Sequence, residues 1–350
     1  MALDHAYICG IGMMTPVGDC TAQTATSVQA GISRYQQSTV YNRRFNPMTM
    51  ALLPEDALPE LTAAVKESGG LTQRQERMVR LAHPAIIEAL ENLPVDNPPL
   101  PLMLAGPETL PGRPLAITDS FISVVAKQAE IAIDVINSRM FASGRAGGIL
   151  ALEAAFKMLE AGQVKHVLVG GVDTYLDLAL LDILDLEQRV LAESVMDGFA
   201  PGEGAGFLLL GSKPPANAKT IVHKPGIGLE KGHRYSEETH TGSGLADAVR
   251  TSLENLQAGP VNSVLCSLNG ESQQNKDWMV AYQRNSRALN PDFRIEHPAE
   301  YYGDVGAATA PVLIGLAATG MAQGWLEGPC LTWAASEMEQ RGSACVALNT

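Results

Sequence analysis

The chain has 350 residues, 46% of them hydrophobic and 18% charged, and a formal net charge of −13. That length is too great for one ordinary hydrophobic core and suits two coupled halves. The acidic balance, with no run of Lys and Arg, excludes a phosphate-backbone binder, so no nucleic-acid partner is expected.

Taken along the chain, apolar runs with strand character fall at 6–13, 100–106, 166–173, 205–211, 220–228, 263–270, 330–336 and 343–349. Helical periodicity falls at 72–93, 146–161, 244–257, 276–285 and 305–322. Strands that alternate with helices, many of them continuous apolar runs, predict an α/β fold with sheets covered on both faces. "SKPPANAK" (212–219) is the natural joint, dividing the chain into halves 1–213 and 214–350. Each half closes on two adjacent strands, a faint sign of internal duplication. The uncharged stretch 305–323 holds Pro311 and three glycines, and reads as a buried helix rather than a membrane span. Five cysteines without a CxxC pair, and a start lacking signal-peptide character, imply reduced thiols in the cytoplasm.

The segment "SGRAGGILALEAAFKMLEAGQVKHVLVGGVD" (143–173) reads as a tight turn, a helix and a buried strand. Ile149, Leu152, Phe156 and Leu159 share one helical face, Glu153 and Lys157 form an i,i+4 pair, and Gly162 ends the helix. A glycine-flanked helix N-terminus stabilises negative charge and is a common seat for a nucleophile. Here the tip carries Arg145, which stays protonated and is no nucleophile.

Three ungapped segments resemble the β-ketoacyl synthases of the thiolase-like superfamily: "YICGIGMMTPVGD", "GGILALEAAFKMLEAGQVKHVLVGGVD" and "MDGFAPGEGAGFLLLG". "GLADAVRTSLENL" (244–256) is similar to that family's first helix of the second half. The resemblance implies a layered αβαβα fold made of two similar halves. It also implies a cysteine at the helix N-terminus, two histidines, and a Gly/Phe-rich loop before the last strand. In this chain Arg145 stands at the cysteine position, Asn269 at the first histidine, with Asp277 eight residues on, and Asp304 at the second. Met338, Glu339, Gln340 and Arg341 occupy the loop, where only Gly342 survives. Without a thiolate no acyl-enzyme forms, and without the histidines nothing polarises an incoming thioester. No catalytic residue, metal or cofactor is therefore expected.

Other motifs have structural readings. Asp197, Gly202, Glu203 and Gly204 match the family's DGFxxGEGAG segment and are expected to brace turns. Gly10 and Gly12 make half a dinucleotide fingerprint, with Thr15 at the third glycine position. His233, Glu237, Glu238 and His240 suit no common metal spacing and read as a solvated loop. Ser143 lacks a positioned histidine to serve as a replacement nucleophile. Arg145 is expected to pair with Glu271 or Asp304, with Glu300 nearby, and to close the former pocket to an acyl chain.

Two-fold pairing is implied through an edge strand mapped to Asn137, Ser138, Arg139, Met140, Phe141, Ala142 and Ser143. Three functions remain in view. The first is a non-catalytic subunit acting by binding, like a chain-length factor, as a homo- or heterodimer with a synthase-like chain and a possible acyl carrier protein partner. The second is a homodimeric adaptor or chaperone for a cargo protein, such as one loaded by a bacterial secretion machine. The third is an acyltransferase-like enzyme with new chemistry at Asn269, Glu271 and Asp304.

Overall fold

The computed structural model describes residues 3–93, 97–113, 115–193, 195–215, 219–256 and 258–349. Of the expected joint, residues 216–218 lie outside the described residues, as does residue 257 at the end of one expected helix. The first half runs β1 (His5–Met14), α1 (Thr21–Gln29), β2 (Gln36–Tyr41), β3 (Pro47–Met50), α2 (Ala63–Ser68) and α3 (Gln73–Leu90). It continues through β4 (Leu102–Ala105), α4 (Phe121–Ala129), β5 (Arg139–Phe141), α5 (Gly144–Glu160), β6 (His166–Thr174), α6 (Leu178–Leu186) and β7 (Glu203–Gly211). The second half runs β8 (Thr220–His223), β9 (Gly226–Leu229), α7 (Ser243–Glu254), β10 (Val261–Cys266) and α8 (Ser272–Asn285). It ends with β11 (Leu289–Glu296), α9 (Ala299–Tyr302), α10 (Thr309–Gln323), β12 (Cys330–Ala335) and β13 (Gln340–Leu348).

Strand order is β5-β4-β6-β7-β1 in the first half and β11-β10-β12-β13-β8 in the second, joined where β1 pairs with β8. The same order recurs with the same pairing senses. In each half the strand before the last runs antiparallel to the last and parallel to its other neighbour. Helices α5 and α10 pack together and against strands of both halves, forming the middle layer. Helices α3 and α4 cover the outer face of the first half-sheet, and α7 packs with α8 over the second. Two helical outer layers, two half-sheets and a helical centre make the αβαβα stack.

Local sequence explains the layers. Along β6, Val167 and Val169 face the central core, while Leu168 and Val172 face the outer one, the period of two that a doubly covered strand needs. Helix α3 starts at a capping box between Thr72 and Gln75. The glycines of "GIGMM" serve packing rather than a nucleotide. A Cβ on Gly10 or Gly12 would meet the carbonyl oxygens of Ala89 and Ala85 in α3 at 2.0 and 1.8 Å.

Several boundaries differ from expectation. The run 220–228 breaks at Pro225 into β8 and β9, because proline lacks the N–H a ladder uses. The expected strand 137–143 is β5 alone. Asn137 ends a 3₁₀ turn capped by the Asp134 carboxylate, and Ser143 is the N-cap of α5. Gln340 and Arg341 belong to β13 rather than to a loop, so β12 and β13 join through a short turn at 336–339. No helix among the described residues is long and apolar enough to cross a membrane.

Candidate functional site

Helix α5 starts with Gly144 at φ 51°, a left-handed conformation that glycine adopts without strain. The next side chain, Arg145, is buried at the N-terminal end of the helix. Its Nε donates to the Ala335 carbonyl at 3.0 Å, Nη1 to Asp304 Oδ2 at 2.7 Å, and Nη2 to Glu337 Oε1. All three guanidinium nitrogens are thus committed to protein acceptors.

The acceptors are shared with two further arginines. Glu337 also accepts from Arg189 Nη2 and from Arg234 Nε, both at 2.7 Å. Glu271 accepts from Arg189 Nε and Nη2 at 2.7 Å, and from Arg234 Nη2 at 2.9 Å. Asn269 Nδ2 bridges the two acidic centres, 2.7 Å from Asp304 Oδ2 and 3.3 Å from Glu271 Oε2. Asp304 Oδ1 accepts the Gly306 N–H at 2.8 Å. Three guanidiniums therefore face three carboxylates, and all but Arg234 are buried. Burial alone would push the Glu337 carboxyl up. The guanidiniums of Arg145, Arg189 and Arg234 outweigh it and hold it far below the usual carboxylate range. Burial likewise disfavours the Arg145 cation, yet Asp304 and Glu337 raise its pKa well above the ordinary value.

Of the expected pair partners, Asp304 contacts Arg145 and Glu271 does not; Glu271 is spent on Arg189 and Arg234. Glu300 pairs with His297 instead. Glu337, Arg189 and Arg234 carry no motif in the sequence, nor does Glu108, whose carboxylate accepts the Glu337 and Met338 N–H groups at 2.9 Å. Burial raises the Glu108 carboxyl to about 6, against the lowering effect of those two donors. The pocket beside Arg145 is not filled. A cavity of about 230 Å³ remains, lined by Arg145, Glu337, Tyr175 and apolar residues of α6.

The remaining motif residues sit in supporting roles. Glu203 is buried in an ion pair with Arg77 and accepts the Leu53 N–H; Asp197 accepts from the Ser272 N–H and hydroxyl. Gly202 and Gly204 lie where a Cβ would strike the Tyr302 and Met14 carbonyl oxygens. Glu237 and Glu238 are exposed, but His240 is drawn inward, 3.1 Å from Asp277. Glu230, His240 and Asp277 bring possible ligand atoms within 4.8 Å of one another. Each is already engaged: Glu230 by the Thr241 and Gly244 N–H groups, Asp277 by His240 and by buried Arg341 at 3.1 Å. His240 thus packs against the buried Asp277–Arg341 pair, which corrects the solvated-loop reading of His240.

No family model matches the chain. A curated relative, the β-ketoacyl-[acyl-carrier-protein] synthase III of Coxiella burnetii, is 26% identical over 190 residues. The match takes in 48% of this chain and 54% of that relative, so the chain spans about half the length of the curated relatives it matches. Among solved structures, a ketosynthase of the bacillaene synthase from Bacillus subtilis superposes with a TM-score of 0.78 at 12% identity, covering 99% of this chain and 72% of that one. A ketosynthase in complex with its chain length factor, from Xenorhabdus doucetiae, gives 0.76 at 13% identity, with 99% and 98% covered. The fold is that of the thiolase-like ketosynthases.

Proposed function

We propose that this protein is a ketosynthase-like subunit that does not condense acyl groups and acts by binding a synthase-like partner. The observation that carries the reading is the Arg145 guanidinium at the N-terminus of α5, with every nitrogen bonded, where the resemblance places a thiolate. A guanidinium held this way does not attack a thioester. Asn269 and Asp304, at the two histidine positions, are tied to each other and to Arg145, which speaks against new acid–base chemistry there. Both Glu271 carboxylate oxygens are likewise engaged, by Arg189 and Arg234.

The partner surface we propose is the open edge of β5, which pairs with β4 on one side only. Beside it Val135 and Ile136 are exposed, Ile136 to 94%. An unpaired edge flanked by apolar side chains is a template for a second chain, whether another copy or a synthase. We place the boundary between halves at 213/214, and the unpaired cysteines support a reducing compartment such as the cytoplasm.

Two measurements on the purified protein test this reading. Incubation with acyl-carrier thioesters is expected to leave the intact mass unchanged. Capture from native lysate is expected to retain a cysteine-bearing synthase. A covalent acyl adduct overturns the non-condensing reading. Recovery of a stable homodimer holding a non-lipid cargo protein replaces the subunit reading with that of an adaptor.

A further inference from the structure

The C-terminal part of α3 borders an open groove of about 690 Å³, completed by the turn after β1 and the 3₁₀ turn at 55–57. It shares no lining residue with the cavity beside Arg145. Its apolar lining is Met14, Ala57, Leu58, Pro59, Pro84 and Ile87, the last of them 45% exposed. The other side chains are acidic at four positions, Asp19, Asp56, Glu88 and Glu91, and are joined by Cys20 and His83. No lysine or arginine among the described residues lines it.

The charges around the groove do not balance. Arg80, bonded to the Leu58 and Pro59 carbonyls of the wall, is matched by Glu55, which it shares with Arg77. Arg77 has Glu203 as well. His83 meets Gln128 through Nδ1 at 3.2 Å. Glu88 has a structural task, accepting the Met13 N–H at 3.0 Å and the Thr21 N–H at 2.9 Å. Asp19, Asp56 and Glu91 are exposed, and their carboxylates bond to no described residue. Helix α3 adds to the same sign. Glu91 is its C-cap, its last turn holds no basic side chain, and a helix C-terminus presents about half a negative charge. Like charges gathered around an apolar surface disfavour the folded chain, and a cation that covers them relieves that cost.

We propose that this groove docks a basic segment of a partner polypeptide, with an aliphatic side chain seated on Pro84 and Ile87 and flanking Lys or Arg reaching Asp56 and Glu91. Charge complementarity chooses the occupant. An acidic segment meets four like charges, and a neutral apolar one covers Asp19, Asp56 and Glu91 without pairing them. The groove is additional to the β5 edge, since β4, β6 and β7 lie between β5 and β1. It therefore goes beyond the partner reading above and does not rest on it.

The test is fluorescence anisotropy of the full chain with the labelled, end-capped peptide KKLKK. The peptide EELEE reverses its charge, and KKSKK removes its apolar side chain. KKLKK is expected to bind, and each control at least fivefold more weakly. Because the chain carries a net charge of −13, two matched double variants locate the site. Asp56→Asn with Glu91→Gln is expected to weaken KKLKK at least tenfold. Glu237→Gln with Glu238→Gln makes the same charge change on exposed side chains of the second half, and should leave affinity within twofold. All four side chains are exposed, so both variants are expected to keep the parent's melting transition. Cys20 gives a readout that needs no variant. It is half-buried in the groove wall, whereas burial pushes the Cys9 thiol up to about 11 and those of Cys266 and Cys345 to about 12. Bound KKLKK is expected to slow capture of Cys20 by iodoacetamide at least fivefold. Absence of KKLKK binding, equal weakening by the two double variants, or an unprotected Cys20 overturns the proposal, as does KKSKK binding equally well.

Discussion

Glu337→Gln is the sharpest probe of the buried cluster. The substitution keeps shape and removes one charge, leaving the guanidiniums of Arg145, Arg189 and Arg234 facing only Glu271 and Asp304. One unmatched cation then sits in a largely buried site, and removing one partner of such an arrangement costs about 3–5 kcal/mol. With an unfolding entropy of about 2.1 cal/mol/K per residue, a 350-residue chain loses roughly 1.4 °C of Tm per kcal/mol, so a drop of about 4–7 °C is expected. The second half of the test is a cycle with Arg145→Met. The double variant retains two guanidiniums and two carboxylates, so it should be less destabilised than the sum of the single variants by about 1–3 kcal/mol. Urea unfolding of the four proteins at neutral pH measures both quantities. A Glu337→Gln protein within about 0.5 kcal/mol of the parent, or a strictly additive cycle, would refute the view that the cluster is one charge-balanced unit.

Glu108 supplies a pH prediction with a definite sign. Its carboxyl titrates at about 6 in the folded chain, against an ordinary value of 4.5. Between those values the folded state holds the extra proton, so stability rises as pH falls from about 7 to about 4.5, by about 2 kcal/mol from this group. Glu108→Gln removes that contribution, and urea unfolding at pH 7 and pH 5 should show the parent gaining more on acidification than the variant; equal slopes reject the assignment. For the β5 edge, light scattering at micromolar concentration should give a dimer burying about 2,000 Å² or more of total surface, and Ile136→Lys should yield a monomer with unchanged cooperativity. A parent protein that stays monomeric with no partner removes that surface from consideration.

The half-sheets and the central helices were legible because burial imposes a local pattern. β6 alternates its apolar residues between two cores, Val167 and Val169 in one and Leu168 and Val172 in the other, and α5 repeats its apolar side chains every three or four residues. Short or polar elements were not legible. Strand β11, "LNPDFRIE", is mostly exposed and carries Pro291 inside it, so it reads as a loop until β10 is seen beside it. The charge cluster was legible only on the segments the resemblance pointed to, at Arg145, Asn269, Glu271 and Asp304. Arg189, Arg234 and Glu337 lie on three separate connections, "LEQRVLAES", "HRYSEETH" and "SEMEQRG", whose composition is that of solvated surface. Nothing local marks such a residue as buried; only the convergence of loops at the end of α5 desolvates it. The choice between Glu271 and Asp304 had the same root, since both carboxylates converge there and the competing arginines were unseen.

The position of Arg145 carries a further constraint on how this site came to hold together. A helix N-terminus presents about half a positive charge, so a cation there is opposed by the helix as well as by burial. Asp304 alone does not neutralise the site, because three guanidiniums converge there. Glu337 adds the second acceptor but is itself contested by Arg189 and Arg234, and Glu271 is what keeps those two from drawing it away. Remove any one acid and a guanidinium is left unmatched in a desolvated pocket; remove any one arginine and a carboxylate is. The cluster is therefore stable only as a set, which makes independent drift at these positions a poor account of it. Each of the three Arg145 nitrogens donates to a protein acceptor, and the guanidinium so held forms part of the wall of the adjacent cavity.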